Sequence, residues 1–144
     1  MAIVTYLKSK GYTGPRKQPL ADLLLHGPTG SFSTVGALVD SGADLVQLPG
    51  SAGVTTGLLP SAILVGGVFV GGLPLPSGSK WVAVTTVGGS ITMLLLSSVP
   101  IEVERIAINV DVVFHPNGTS RPLVGRNAIV ALNNVGFDAT NWLL

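Results

Sequence analysis

Asp40 closes the apolar run Ala37-Leu-Val and is followed by Ser41, Gly42, Ala43 and a second carboxylate, Asp44. A carboxylate at the end of a hydrophobic run needs a reason to be there, and acid–base work on a bound molecule is one. The small hydroxyl residue and the glycine after it permit a sharp turn. Ordinary residue frequencies would produce an Asp-Ser/Thr-Gly triplet in roughly one chain in fifteen of this length, as a plain β-turn, so the triplet gains weight only from its context. Competing chemistries are thinner. The chain has no cysteine, which removes thiolate catalysis, disulfides and cysteine-ligated zinc while leaving the redox compartment open. His26 and His115 stand beside Gly or Pro, far apart and without a third ligand, and read as exposed turn residues. Ser31 and Ser33 have no accompanying nucleophile motif. Glu102, Glu104 and Arg105 read as a solvent-facing hairpin, with Asp111 pointing outward on the next strand. No metal cluster and no cofactor motif is read. Asn117-Gly-Thr119 fits a glycosylation triplet but is more simply a turn.

The elements that must position Asp40 are those of an all-β chain, since 19 Gly and 10 Pro divide the sequence into short runs rich in Val, Ile, Leu and Thr. Pro19 to Leu25 reads as a strand, His26 to Gly30 as a turn, and Phe32 to Val39 as the returning strand that delivers Asp40. Further strands fit Ala62 to Val70, Trp81 to Val87, Ser90 to Leu96, Ile101 to Glu104 and Ile106 to Phe114, with turns at Val87-Gly-Gly-Ser90 and His115 to Thr119. One helix is expected, from Asn127 to Val135, with Gly136 as its C-terminal cap; Phe137 to Leu144 then returns to a strand. The stretch from Gly50 to Gly78 reads as sheet and not as a linker, so no domain boundary is drawn there.

At 144 residues, one compact domain is the expectation, and 47% hydrophobic against 10% charged residues excludes the disordered class. So much apolar surface must be hidden, some of it between subunits. A formal net charge of +1 without basic clustering argues against a nucleic-acid partner. Thr5 and Lys8 interrupt the first apolar residues too early for a signal-peptide core, leaving localisation unknown, with a cytoplasmic or virion-like context open. Leu45 to Ser79 carries no charge, which raises membrane association as a reading; Pro60, Pro74 and the glycines between them weigh against a span.

Two motifs in order give the chain a resemblance. Apolar-apolar-Asp40-Ser-Gly-Ala-Asp44 resembles the active-site signature of retropepsin-like aspartic proteases, and Leu123-Val-Gly-Arg-Asn127 resembles that family's second motif, which opens a short helix before the last strand. Pro19-Leu20 looks like the start of the family's first strand, and Leu48-Pro49 falls where bacterial relatives often have Leu-Pro. The likeness covers roughly residues 19–144. It implies a retropepsin-like fold, a closed, barrel-like β subunit with one short C-terminal helix, acting as a homodimer. Residues 1–18 would then be an N-terminal arm, a propeptide or a disordered tail.

The resemblance also implies roles. Asp40 of each of two subunits would face the other and share a proton, one member acting as base towards a water while the other polarises a scissile carbonyl. Ser41 would hydrogen-bond across the dimer, Gly42 would let substrate backbone pass close, and Ala43 would keep the floor small. Asp44 would pair with Arg126, a structural residue beside Gly125. Since the chain holds one Asp-Ser-Gly loop, a symmetric dimer is required, and Asp138 to Leu144 would supply an interleaved interface strand whose truncation abolishes activity. Two glycine turns compete to be the mobile flap: Gly66-Gly67, and Val87-Gly88-Gly89, which is favoured. The expected function is an aspartic endopeptidase acting on extended polypeptide between bulky apolar side chains, without metal or other cofactor. The alternatives are an inactive dimeric peptide-binding module that keeps the fold, and a membrane-associated protease-like protein.

Overall fold

The computed structural model describes Tyr6 and residues 8–144; residues 1–5 and Leu7 of the expected N-terminal arm lie outside the described residues. Ser9–Gly11 is a first short strand, β1. Strand β2, Leu20–Gly27, buries Ala21, Leu23 and Leu25 and turns Asp22 and His26 outward, the two-residue period of a half-buried strand. It pairs with β3, Gly30–Val39, across the two-residue turn Pro28-Thr29. His26 therefore lies in a strand, paired with Glu102, and not in a turn. Next come β4, Val46–Pro49, and α1, Gly50–Thr56.

Helix α1 corrects the sheet reading of residues 50–78. Its sequence, Gly-Ser-Ala-Gly-Val-Thr-Thr, is a poor helix former. Packing holds it: Gly50, Ala52, Gly53 and Thr56 are buried, and the Thr56 hydroxyl donates to the Ala52 and Gly53 carbonyls. The strand expected over Ala62 to Val70 is likewise divided, into a 3₁₀ turn at Ser61–Ile63 and two short strands, β5 (Leu64–Val65) and β6 (Val68–Phe69), because Gly66 and Gly67 both take positive φ between them.

The long hairpins follow: β7 (Ser79–Thr86), β8 (Gly89–Val103) and β9 (Ile106–His115). Strand β8 joins two expected strands into one. Between Leu96 and Val99 it carries an extra residue relative to β9, and Ser98 has φ 53°, so the strand bulges and bends instead of ending. Its first half pairs with β7 and its end pairs with β2. The last elements are β10 (Leu123–Val124), α2 (Arg126–Leu132), β11 (Gly136–Phe137) and β12 (Asn141–Leu143). Helix α2 ends three residues before the expected Val135. Asn133, at φ 55°, caps it, and Gly136 belongs to β11. The expected final strand is a small hairpin of two.

The principal sheet has the order β2-β3-β10-β4-β9-β8-β7, and the additional β2–β8 pairing closes six of these strands into a ring with β7 outside it. Leu23, Leu48, Leu94, Ile101, Val112 and Phe114 fill its interior. A second sheet, β1-β12-β11, joins the chain ends, so both edges of β12 are occupied within one chain. Trp142 of β12 is buried and donates its indole N–H to the Leu20 carbonyl. Glu104 is not solvent-facing. It sits in the Glu104-Arg105 turn, both residues at positive φ, and its buried carboxylate accepts from Lys10 Nζ at 2.8 Å and the Asp22 N–H at 2.6 Å. Partial burial opposes the charge on Lys10, but hydrogen bonds and attraction from Glu104 and Asp22 outweigh it and raise the Lys10 pKa above its usual value. Among the described residues no helix is long and apolar enough to cross a membrane.

Candidate active site

At its C-terminal end strand β3 has β10 parallel beside it, with Leu123 opposite Leu38 and Val124 opposite Val39. The other edge of β10 meets Gln47 of β4, antiparallel. The loop from Asp40 to Leu45 must therefore cross the end of β10. Its backbone is fixed at each step: the Asp40 N–H donates to the Val124 carbonyl at 3.0 Å, the Ala43 N–H to the Asp40 carbonyl at 3.2 Å, and the Gly42 N–H to Asp40 Oδ1 at 2.9 Å. That last bond aims one carboxylate oxygen at the turn. A methyl group on Gly42 would come within 3.1 Å of that same oxygen, so glycine here keeps the carboxylate free of a neighbour.

The Gly125-Arg126-Asn127 segment clamps the loop from the other side. A Cβ on Gly125 would stand 2.3 Å from the Leu45 carbonyl oxygen and 2.8 Å from the Leu45 nitrogen. The glycine is needed for this close approach of two backbones, and its φ of −85° is ordinary. The N–H groups of Arg126 and Asn127 donate to the carbonyls of Ala43 and Asp44. The Arg126 guanidinium reaches Asp44, both side chains being largely exposed. The family resemblance gives Asn127 no role. Its side-chain oxygen accepts the Val46 N–H at 2.9 Å and its amide donates to the Asp111 carbonyl at 2.8 Å, tying β4 and β9 to the start of α2.

Asp40, Gly42, Ala43 and Asp44 line a cleft of about 850 Å³ together with Leu45, Gln47, Val82, Val84, Val87, Leu95, Val113 and Leu123. Met93, Leu95 and Val113 form a small buried cluster beneath it, against which Leu45, Val82, Val84 and Ile91 pack. The β7–β8 hairpin thus brings the Val87-Gly88-Gly89 turn to the Asp40 cleft. Val87 is fully exposed at the tip, and Gly89 takes φ 119°, outside the range that L side chains favour. The other glycine turn is not brought there: Gly67 lines a separate crevice of about 360 Å³ with Val68, Phe69 and Trp81. Ser41 is exposed beside Asp40. Leu45, Gln47, Val82 and Val84 are cleft residues that sequence reasoning did not single out; in an apolar chain, period-two alternation marks which residues share a face but not which face meets a cleft.

No family model matches the chain, and no curated protein matches it. Among the described residues no three His, Asp or Glu side chains gather as a metal site. The arrangement offers a carboxylate with one oxygen tethered, at the mouth of an apolar, sheet-lined cleft with a hairpin tip at its rim.

Proposed function

We propose that this chain is one subunit of a homodimeric aspartic endopeptidase with a retropepsin-like fold. The observation that carries the reading is that the loop bearing Asp40 and the segment bearing Gly125, Arg126 and Asn127, far apart in sequence and matched to two motifs in that order, interlock at the mouth of one apolar cleft. One carboxylate cannot serve at once as base towards water and as proton donor to a carbonyl. A second copy supplies the other. Two close carboxylates resist simultaneous ionisation and hold one proton between them, so the charged member activates water and the neutral member polarises the scissile carbonyl. An extended polypeptide lies along the cleft, its apolar side chains against Val82, Val84 and Leu123, under the Val87–Gly89 hairpin tip.

The test is cleavage of a denatured protein from about pH 4 to 7, comparing wild type with Asp40→Asn and with a pepstatin-type inhibitor. Cleavage by wild type alone, stopped by the inhibitor, supports the reading. A verified dimer that cuts nothing, or an Asp40→Asn variant as active as wild type, overturns it and leaves the peptide-binding module in its place.

A further inference from the structure

Four strands each contribute one residue to a row that crosses the floor of the Asp40 cleft. Leu123 of β10 stands opposite Gln47 of β4, Gln47 opposite Val113 of β9, and Val113 opposite Leu95 of β8. Residues directly opposite share a face of the sheet, and all four line the cleft. Three are aliphatic. Gln47, in their midst, is partly buried, and its amide makes no hydrogen bond among the described residues.

In the open cleft that amide is accessible to water. A chain lying over the row expels the water, and an amide left without a partner then opposes binding. A substrate side chain that can donate to or accept from the amide removes the penalty. Resting on the endopeptidase reading above, we infer that Gln47 is a specificity-determining residue. It selects a hydrogen-bonding side chain, of the Asn, Gln, Ser or Thr kind, at the one substrate position that covers it. The flanking substrate side chains meet Leu45, Val82 and Val84 and remain apolar. The preferred substrate is thus a mixed segment with one polar position inside an apolar run.

The experiment profiles cleavage of a mixed peptide library by wild type, Gln47→Met, Gln47→Glu and Asp40→Asn, each checked for folding by thermal unfolding. Wild type is expected to enrich hydrogen-bonding side chains at one position of the cleaved sequences. Gln47→Met, equal in length but without the amide, shifts that position alone to aliphatic residues, with the polar-over-aliphatic ratio in kcat/KM falling about tenfold, the worth of one neutral hydrogen bond. Gln47→Glu keeps the position polar but favours donors, and decides the matter by itself should the Met variant not fold. An unchanged profile in the variants, or a wild type that takes aliphatic residues at every position, overturns the inference. If wild type and Asp40→Asn both leave the library uncut, it is the endopeptidase reading that fails, and this inference falls with it. If wild type cuts and Asp40→Asn does not, only the role of Gln47 is at stake.

Discussion

The side chain of Asn127 satisfies one backbone N–H on β4 and one carbonyl on β9, whereas the Arg126 side chain makes an ion pair open to water. Removing Asn127 strands a donor on buried Val46 and an acceptor on Asp111. Asn127→Ala should therefore cost about 1–3 kcal/mol, while an exposed pair such as Arg126–Asp44 is worth about 0–1 kcal/mol, so Arg126→Ala should be nearly silent in the stability of the isolated chain. Urea unfolding of both variants checks the order, and equal losses would contradict it. Asp40 was legible in the sequence because a carboxylate after an apolar run is a local departure from pattern, whereas Gly125, Arg126 and Asn127 were marked only by the family resemblance. The latch function of Asn127 was not legible: its partners lie 81 and 16 residues away. The burial of Glu104 was hidden for the same reason, since Lys10 and Asp22 are 94 and 82 residues distant.

Among the elements, β9 ends on His115, which is a partly buried strand residue and not the exposed turn residue expected; its Nδ1 accepts the Asn117 N–H at 2.9 Å and so requires a ring nitrogen without a proton. Burial holds the His115 pKa below its ordinary value of 6.5. The unfolded chain thus takes up the proton first as pH falls. Stability from His115 is full above the unfolded pKa and is lost as pH falls through the lower folded value. Wild type should lose more stability than His115→Gln between pH 7.5 and pH 5 in urea titrations; parallel losses would remove His115 as the cause. Any fall of proteolysis on the acid side must be separated from this loss of fold. Hairpins such as β2–β3 and β7–β8 could be read from alternation and glycine-containing turns, although the turn expected over His26 to Gly30 shrinks to Pro28-Thr29 because strand pairing runs on to Gly27 and Gly30. Strands β4 and β10 could not, since two to four residues carry no period and neighbouring strands hold them in place. Helix α1 was unreadable because the glycines, serine and threonines that make up most of it are weak helix formers.

For the whole molecule, the occupied edges of β12 change what its removal means. Truncating Asp138 to Leu144 was expected to abolish activity by removing an interface strand, yet the same residues hold Trp142 in the core of their own chain. Trp142→Ala should destabilise the subunit by about 3–5 kcal/mol, measured by denaturant unfolding at fixed protein concentration. A fully stable monomer that had merely lost its partner would contradict this. The ring of six strands has a further consequence, for the order of events during synthesis. It closes only when β2 meets the far end of β8, and β3 gains its second neighbour only when β10 arrives, more than eighty residues after Asp40. Until then the Leu38-Val39 end of β3 presents an unpaired apolar edge, open to pairing with other nascent chains. With contacts this distant in sequence, the subunit should mature slowly, and the Asp40 loop should be clamped only once β10 has emerged from the ribosome.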